Sequence, residues 1–170
     1  MIPRIAIFDL TDCEGCELQF LSLKEKLLDF IEDLEIANWR LLQPGENQLP
    51  EIDVAIIQGT VVTSADQELV QKVRHQAKFL VAIGECARTG WIPSWIKKEA
   101  RPKALDYVYG PNYQPRAIDA LPVKAIVKVD LEIPGCPPDL KTLEGFLNDI
   151  PNLKTENSFK KTEIGTENRK

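Results

Sequence analysis

Four cysteines are the residues of this chain whose type and placement could do chemistry: Cys13 and Cys16 stand three positions apart, and Cys86 and Cys136 follow singly at long intervals. Thiolates are soft ligands that suit both zinc and iron–sulfur clusters. Structural zinc usually takes two close pairs on a small knuckle, and here only Cys13 and Cys16 form a pair, so spacing favours a four-thiolate cluster over four-thiolate zinc. Zinc also supplies folding energy of about 10–16 kcal/mol that small modules require. A 170-residue chain can build a core without it. A third reading takes Cys13-Glu14-Gly15-Cys16 as a thioredoxin-like dithiol, which leaves Cys86 and Cys136 unexplained.

Composition narrows the context of these thiols without naming an activity. With 44% hydrophobic and 28% charged residues the chain reads as an ordinary globular protein. A formal net charge of −5 argues against a nucleic-acid partner, whose phosphates need a concentrated Lys/Arg surface; the Lys97-Lys98 pair is too small for one. No apolar run approaches the ~18 residues of a membrane-spanning helix. Asp9 interrupts the apolar run of residues 5–10, so no signal peptide is visible and a cytoplasmic location is expected. In that reducing compartment four cysteines point to metal or redox chemistry rather than to disulfides.

The elements that must position the cysteines alternate in type. Residues 3–10 read as a buried strand, and residues 17–34 carry Leu18, Leu21, Leu23, Leu27, Leu28, Ile31 and Leu34 at helical spacing. Residues 35–42 are a second expected strand, residues 43–50 a loop, and residues 53–58 a third strand. Ser64 and Gln67 suggest a capping box for a helix ending near Gln76. Residues 79–83 predict a fourth strand, residues 91–98 a short amphipathic stretch, and residues 101–122 an irregular excursion long enough for a partner-facing role. Residues 125–129 predict a fifth strand, and Asp139 can cap a last helix to Ile150. Residues 1–150 therefore form the expected domain, followed by a polar tail over residues 151–170.

This alternation predicts an α/β fold: a flavodoxin-like, doubly wound parallel sheet of about five strands. In such a sheet ligands bind outside the carboxyl ends of the strands. Cys13, Cys86 and Cys136 would each follow a strand and so meet at one rim. Gly15, Gly84 and Gly135 lie beside these cysteines, where a bare backbone can approach sulfur closely; Pro137 and Pro138 stiffen the last loop.

The runs Cys13-Glu14-Gly15-Cys16-Glu17, Gly84-Glu85-Cys86-Ala87 and Pro134-Gly135-Cys136-Pro137-Pro138 resemble the three motifs that bind the proximal [4Fe-4S] cluster in small subunits of [NiFe] hydrogenases. The superfamily is shared with the 20 kDa subunit of respiratory complex I, whose first motif has adjacent cysteines. Cys-Glu-Gly-Cys here favours the hydrogenase side. The resemblance implies one [4Fe-4S] cluster on Cys13, Cys16, Cys86 and Cys136, with a nickel–iron centre on a separate large subunit. It further implies a delta-type subunit of a cytoplasmic, sulfhydrogenase or NAD(P)-linked enzyme, since neither a twin-arginine leader nor a cysteine-rich extension is seen. Electrons from dihydrogen oxidation would pass through this chain to another iron–sulfur subunit and a flavin subunit meeting NAD(P). The chain lacks Gly-x-Gly-x-x-Gly and so has no evident dinucleotide fingerprint of its own. A complex I-like redox subunit without hydrogen chemistry and a zinc-stabilised binding module remain the alternatives.

Other residues invite chemistry less strongly. His75, the only histidine, falls on a polar helix and is expected to be solvated. Trp91 and Trp95 share a helical face and are expected as local core rather than as a partner patch. Glu14, Glu17 and Glu85 flank the cysteines, and solvation is their expected role.

Overall fold

The computed structural model describes residues 2–42, 51–96, 98–117 and 119–152. Its strands are β1 (Arg4–Asp9), β2 (Glu35–Asn38), β3 (Ile52–Gln58), β4 (Ala77–Ile83) and β5 (Leu131–Ile133). They form one sheet in the order β2-β1-β3-β4-β5, with every pairing parallel. This is the expected flavodoxin-like order, whose switch point lies between β1 and β3.

Strands covered on both faces read as continuous apolar runs, which is why β1, β3 and β4 are so strongly hydrophobic. Ile5, Ile7, Val54, Ile56, Val81, Ile83 and Ile133 join one core cluster. It is closed by α1 (Gly15–Leu21), α2 (Glu25–Glu32) and α6 (Leu140–Asp149) through Phe20, Leu27 and Phe146. Ala6, Phe8, Ala55, Ile57, Leu80 and Ala82 join the other, with Val70 and Val73 of α3 (Ser64–Gln76) and Ala87 of α4 (Gly84–Thr89). Successive side chains of a strand thus serve opposite cores.

The structure corrects several local expectations. The helix expected over residues 17–34 is broken into α1 and α2 at Lys24, whose φ of 54° lies outside any right-handed helix. Of its apolar positions, Leu23 and Leu27 enter the core, whereas Leu18 and Leu28 are 54% and 63% exposed. The second strand stops at Asn38, whose side-chain amide donates to the Ile7 carbonyl (2.6 Å), and Trp39 then turns inward to 1% exposure.

The capping box of α3 is Thr63 with Asp66, one residue before the expected pair. Thr63 Oγ1 accepts the Asp66 N–H (3.1 Å), and the Asp66 carboxylate accepts the N–H groups of Thr63 and Val62 (2.9 Å each). The last strand lies at Leu131–Ile133 rather than over residues 125–129. Asp130 starts the pairing by exchanging bonds with Leu80, giving its N–H to the Leu80 carbonyl (2.9 Å) and taking the Leu80 N–H on its carboxylate (2.8 Å). Ile126, Val127 and Val129 pack against the second core instead.

Residues 101–122 include a helix, α5 (Arg101–Tyr109), that Pro102 concealed, although proline is tolerated in a first turn. None of its residues is buried. Asp139 caps α6 as expected, accepting the Thr142 N–H at 2.9 Å. The expected loop at residues 43–50 and residues 153–170 of the expected tail lie outside the described residues.

Candidate metal centre

Three loops at the carboxyl edge carry the cysteines. Past β1 the chain is tied to the turn after β3: the Leu10 N–H donates to the Gln58 carbonyl (3.0 Å), and Thr11 and Thr60 exchange backbone bonds at 3.2 and 2.8 Å. Glu14 then takes a left-handed conformation (φ 64°), and its N–H donates to Asp12 Oδ1 (3.0 Å). That turn starts α1 with Cys16 in its first turn. Cys13 is exposed and Cys16 half-buried.

Past β4, Gly84 adopts φ 80°, and a Cβ built on it would lie 2.5 Å from Cys16 Sγ. A side chain here would fill the space the sulfur uses, so this close approach requires glycine. Cys86 sits in the short helix α4, where its carbonyl accepts the Gly90 N–H (2.9 Å) and lies 3.3 Å from the Thr60 hydroxyl. Past β5, Gly135 has φ 126°, and a Cβ there would meet Pro138 Cα at 2.5 Å. Cys136 follows, exposed, with a cis peptide to Pro137. The Glu85 N–H donates to the Gly135 carbonyl (3.0 Å), so the loops bearing Cys86 and Cys136 are bonded directly to each other.

All four predicted cysteines are therefore brought to one region, and the titration of Cys16 and Cys86 reflects it. Burial, followed by the neighbouring Cys86, Cys13, Asp12 and Cys136, pushes the Cys16 thiol up to about 12. Burial likewise raises Cys86; the Thr60 hydroxyl pulls it down, while Cys136, Cys13 and Asp12 push it up. The charges of neighbouring thiols thus bear on both. The carboxyls beside them behave in the same way. Asp12 is raised by burial against the pull of the Glu14 N–H, with Asp9 and Glu14 adding to the rise.

Glu17 is fully buried, and burial followed by the neighbouring Asp9 carboxyl pushes it up to about 8. The Trp39 indole also bears on Glu17, yet neither it nor Asp9 closes a hydrogen bond of good geometry to its carboxyl oxygens. Arg40 partly balances this crowd, with Nε 2.8 Å from Asp9 Oδ2 and Nη2 2.6 Å from Glu14 Oε1.

Such an edge holds more potential anions than cations and is suited to a positively charged inorganic core. Four zinc-bound sulfurs would lie about 3.8 Å apart, from Zn–S bonds of about 2.3 Å. Among the described residues no three His, Cys, Asp or Glu side chains are grouped to hold a single ion. The donor set and the bare Gly84 next to Cys16 fit a larger thiolate-bound core, with Cys13, Cys16, Cys86 and Cys136 as the residues able to hold it.

The flanking acids depart from the expected solvation: Glu17 is buried and Glu85 half-buried, accepting Arg88 Nη1 at 2.6 Å. His75 is exposed, as expected. Trp91 and Trp95 do form a T-shaped pair (centroids 5.3 Å apart), but Trp95 is 64% exposed and is not core. Asp9, Arg40 and Thr60 were not singled out by the sequence, because their roles depend on contacts between distant segments. Asp9 alone carried a signal, as a charge ending an otherwise apolar strand.

Comparison with known proteins agrees with the fold. The chain is 38% identical over 148 residues to the sulfhydrogenase 2 subunit delta of Pyrococcus furiosus, an alignment covering 86% of this chain and 61% of that one. It is 30% identical to a subunit of the F420-non-reducing hydrogenase vhu of Methanocaldococcus jannaschii, over 82% of this chain and 53% of that one. The chain thus spans between about half and three-fifths of the length of these curated relatives. In structure it matches a chain of an NAD+-reducing [NiFe]-hydrogenase crystallised in the H2-reduced state, with a TM-score of 0.79 and 26% identity over 94% of this chain and 97% of that one. Residues 13–150, which include all four cysteines, match the family described as NADH ubiquinone oxidoreductase, 20 Kd subunit, and the chain belongs to that family.

Proposed function

We propose that this chain is the electron-transfer small subunit of a cytoplasmic [NiFe] hydrogenase, with Cys13, Cys16, Cys86 and Cys136 holding one [4Fe-4S] cluster. The observation that carries the reading is that three loops, each following a different strand of a parallel sheet, bring four thiols to one edge. The likeness to hydrogenase subunits supports the reaction class. When bound, such a cluster accepts and releases one electron at a time.

The chain's own residues do the rest. Gly84 and Gly15 leave room beside Cys16 and Cys13 sulfur, and Thr60 and the Glu85–Gly135 bond hold the Cys86 and Cys136 loops. Glu17 and Trp39 close the inner side of the edge against water. The nickel–iron centre is assigned to a separate large subunit, and onward electrons to a further iron–sulfur subunit and a flavin subunit reacting with NAD(P). Exposed apolar side chains at Ile92, Trp95, Ile96, Tyr107, Val108 and Tyr109 support partner chains over this part of the molecule. Residues 1–150 constitute the cluster-binding domain in this reading and residues 151–170 a polar tail. Among the described residues no helix is long and apolar enough to cross a membrane.

The family description favours a second reading, a complex I-like redox subunit without hydrogen chemistry. The complex co-purified through this chain separates the two. Hydrogen-dependent reduction of a viologen dye is expected; an iron–sulfur complex inert to hydrogen would favour the second reading.

A further inference from the structure

Cys86 and Cys136 lie fifty positions apart on separate loops, and a single residue joins them. Glu85, next to Cys86, faces Gly135, next to Cys136, through two bonds of opposite sense. The Glu85 N–H donates to the Gly135 carbonyl (3.0 Å), and the Gly135 N–H donates to Glu85 Oε1 (3.3 Å). The same Oε1 is 2.6 Å from Arg88 Nη1, one turn along α4, and Arg88 Nε reaches Glu132 of β5 at 3.7 Å.

Gly135 cannot be replaced as the partner, because its φ of 126° and the contact a Cβ would make with Pro138 both demand glycine. The Glu85 side chain is only 17% exposed, which limits competition from water for these bonds. We propose that Glu85, braced by Arg88, is a positioning residue that locks the Cys136 loop to the Cys86 helix and so fixes where the fourth sulfur stands. The proposal rests on the cluster reading above. Partners that orient ligands without touching the metal typically change affinity about 10–100-fold when removed.

The test uses the full chain, purified anaerobically, as wild type and as E85A, E85Q and R88M. Three quantities are read: iron and acid-labile sulfide per chain, the rate at which a ferrous chelator strips the iron, and the EPR spectrum of the reduced cluster. E85A is expected to lose iron about 10–100-fold faster than wild type, with altered g values. E85Q keeps an oxygen that accepts the Gly135 N–H; it should restore the wild-type spectrum and most of the retention. R88M removes the brace alone and should lose iron severalfold faster, which keeps the test informative should E85A accumulate poorly. Wild-type retention and spectrum in E85A or R88M, or an E85Q as impaired as E85A, would overturn the proposal. Wild-type chain free of iron and sulfide would instead overturn the cluster reading on which it rests.

Discussion

The two ends of the sheet are built on opposite electrostatic plans. At the amino edge Asp53, Glu35 and Asp130 each meet a donor. Asp53 accepts the Arg4 N–H and the Lys78 ammonium (2.8 Å each), Glu35 pairs with the Arg4 guanidinium (2.9 Å), and Asp130 takes both Arg74 and the Leu80 N–H. Burial alone would raise Asp53, but the Arg4 N–H and Lys78 outweigh it and hold its carboxyl below the ordinary range.

At the carboxyl edge Cys16, Cys86, Asp12 and Glu17 are all raised, with burial as the leading cause and neighbouring anionic groups adding to it. One end is thus matched by ion pairs within the chain, while at the other Arg40 pairs with Asp9 and Glu14 and burial holds Cys16 and Glu17 toward their neutral forms.

The contrast is open to attack from either end. The largest effect is expected from Cys136→Ala, which should leave a folded chain without its cluster; iron and sulfide analysis beside a far-ultraviolet circular dichroism spectrum checks both halves. Gly84→Ala comes next. The added methyl would lie 2.5 Å from Cys16 Sγ at a φ of 80°, so strain of about 1–3 kcal/mol should fall on the site and lower cluster retention in the chelator assay.

Asp130→Ala attacks the other edge. Loss of charged hydrogen bonds from Arg74 and the Leu80 N–H should cost about 1.5–3 kcal/mol in a urea titration while cluster content per folded chain stays unchanged. Asp53→Asn should have the smallest effect, below about 1 kcal/mol, because its partner Lys78 is largely exposed. Its pH dependence has a definite sign. A carboxyl lowered in the folded state stabilises fully above its ordinary value of 3.8, and that contribution is lost as pH falls through the lowered value. The gap between wild type and Asp53→Asn in urea midpoint should therefore close in acid; a gap that widens there would contradict the pairing.

The sequence made the sheet and the convergence of its cysteines legible for a simple reason. Apolar runs ending near Cys13 and Gly84 are local patterns, and a parallel sheet converts them into one edge. What stayed hidden depended on partners far along the chain. Glu17 looked like a solvated acid beside Leu18, yet Glu17 is buried and Leu18 exposed, because the break at Lys24 and the packing of Phe20 on Trp39 decide how α1 faces the sheet. Hydrophobicity points to Ala125 to Val129 for the last strand, whereas the bonds between Asp130 and Leu80 choose Leu131–Ile133. The cap at Thr63 is displaced by one residue from the expected Ser64, which offers the same chemistry, and only the Asp66 contact distinguishes them. Helix α5 buries nothing and so leaves no apolar face to read.

The most direct test of the central claim is iron and acid-labile sulfide analysis of the anaerobically purified full chain. About four of each per chain, in a brown protein that bleaches when all four thiols are alkylated, is the predicted result. A colourless chain carrying one zinc and no sulfide, or one whose Cys86 and Cys136 alkylate freely while its iron stays bound, would contradict it.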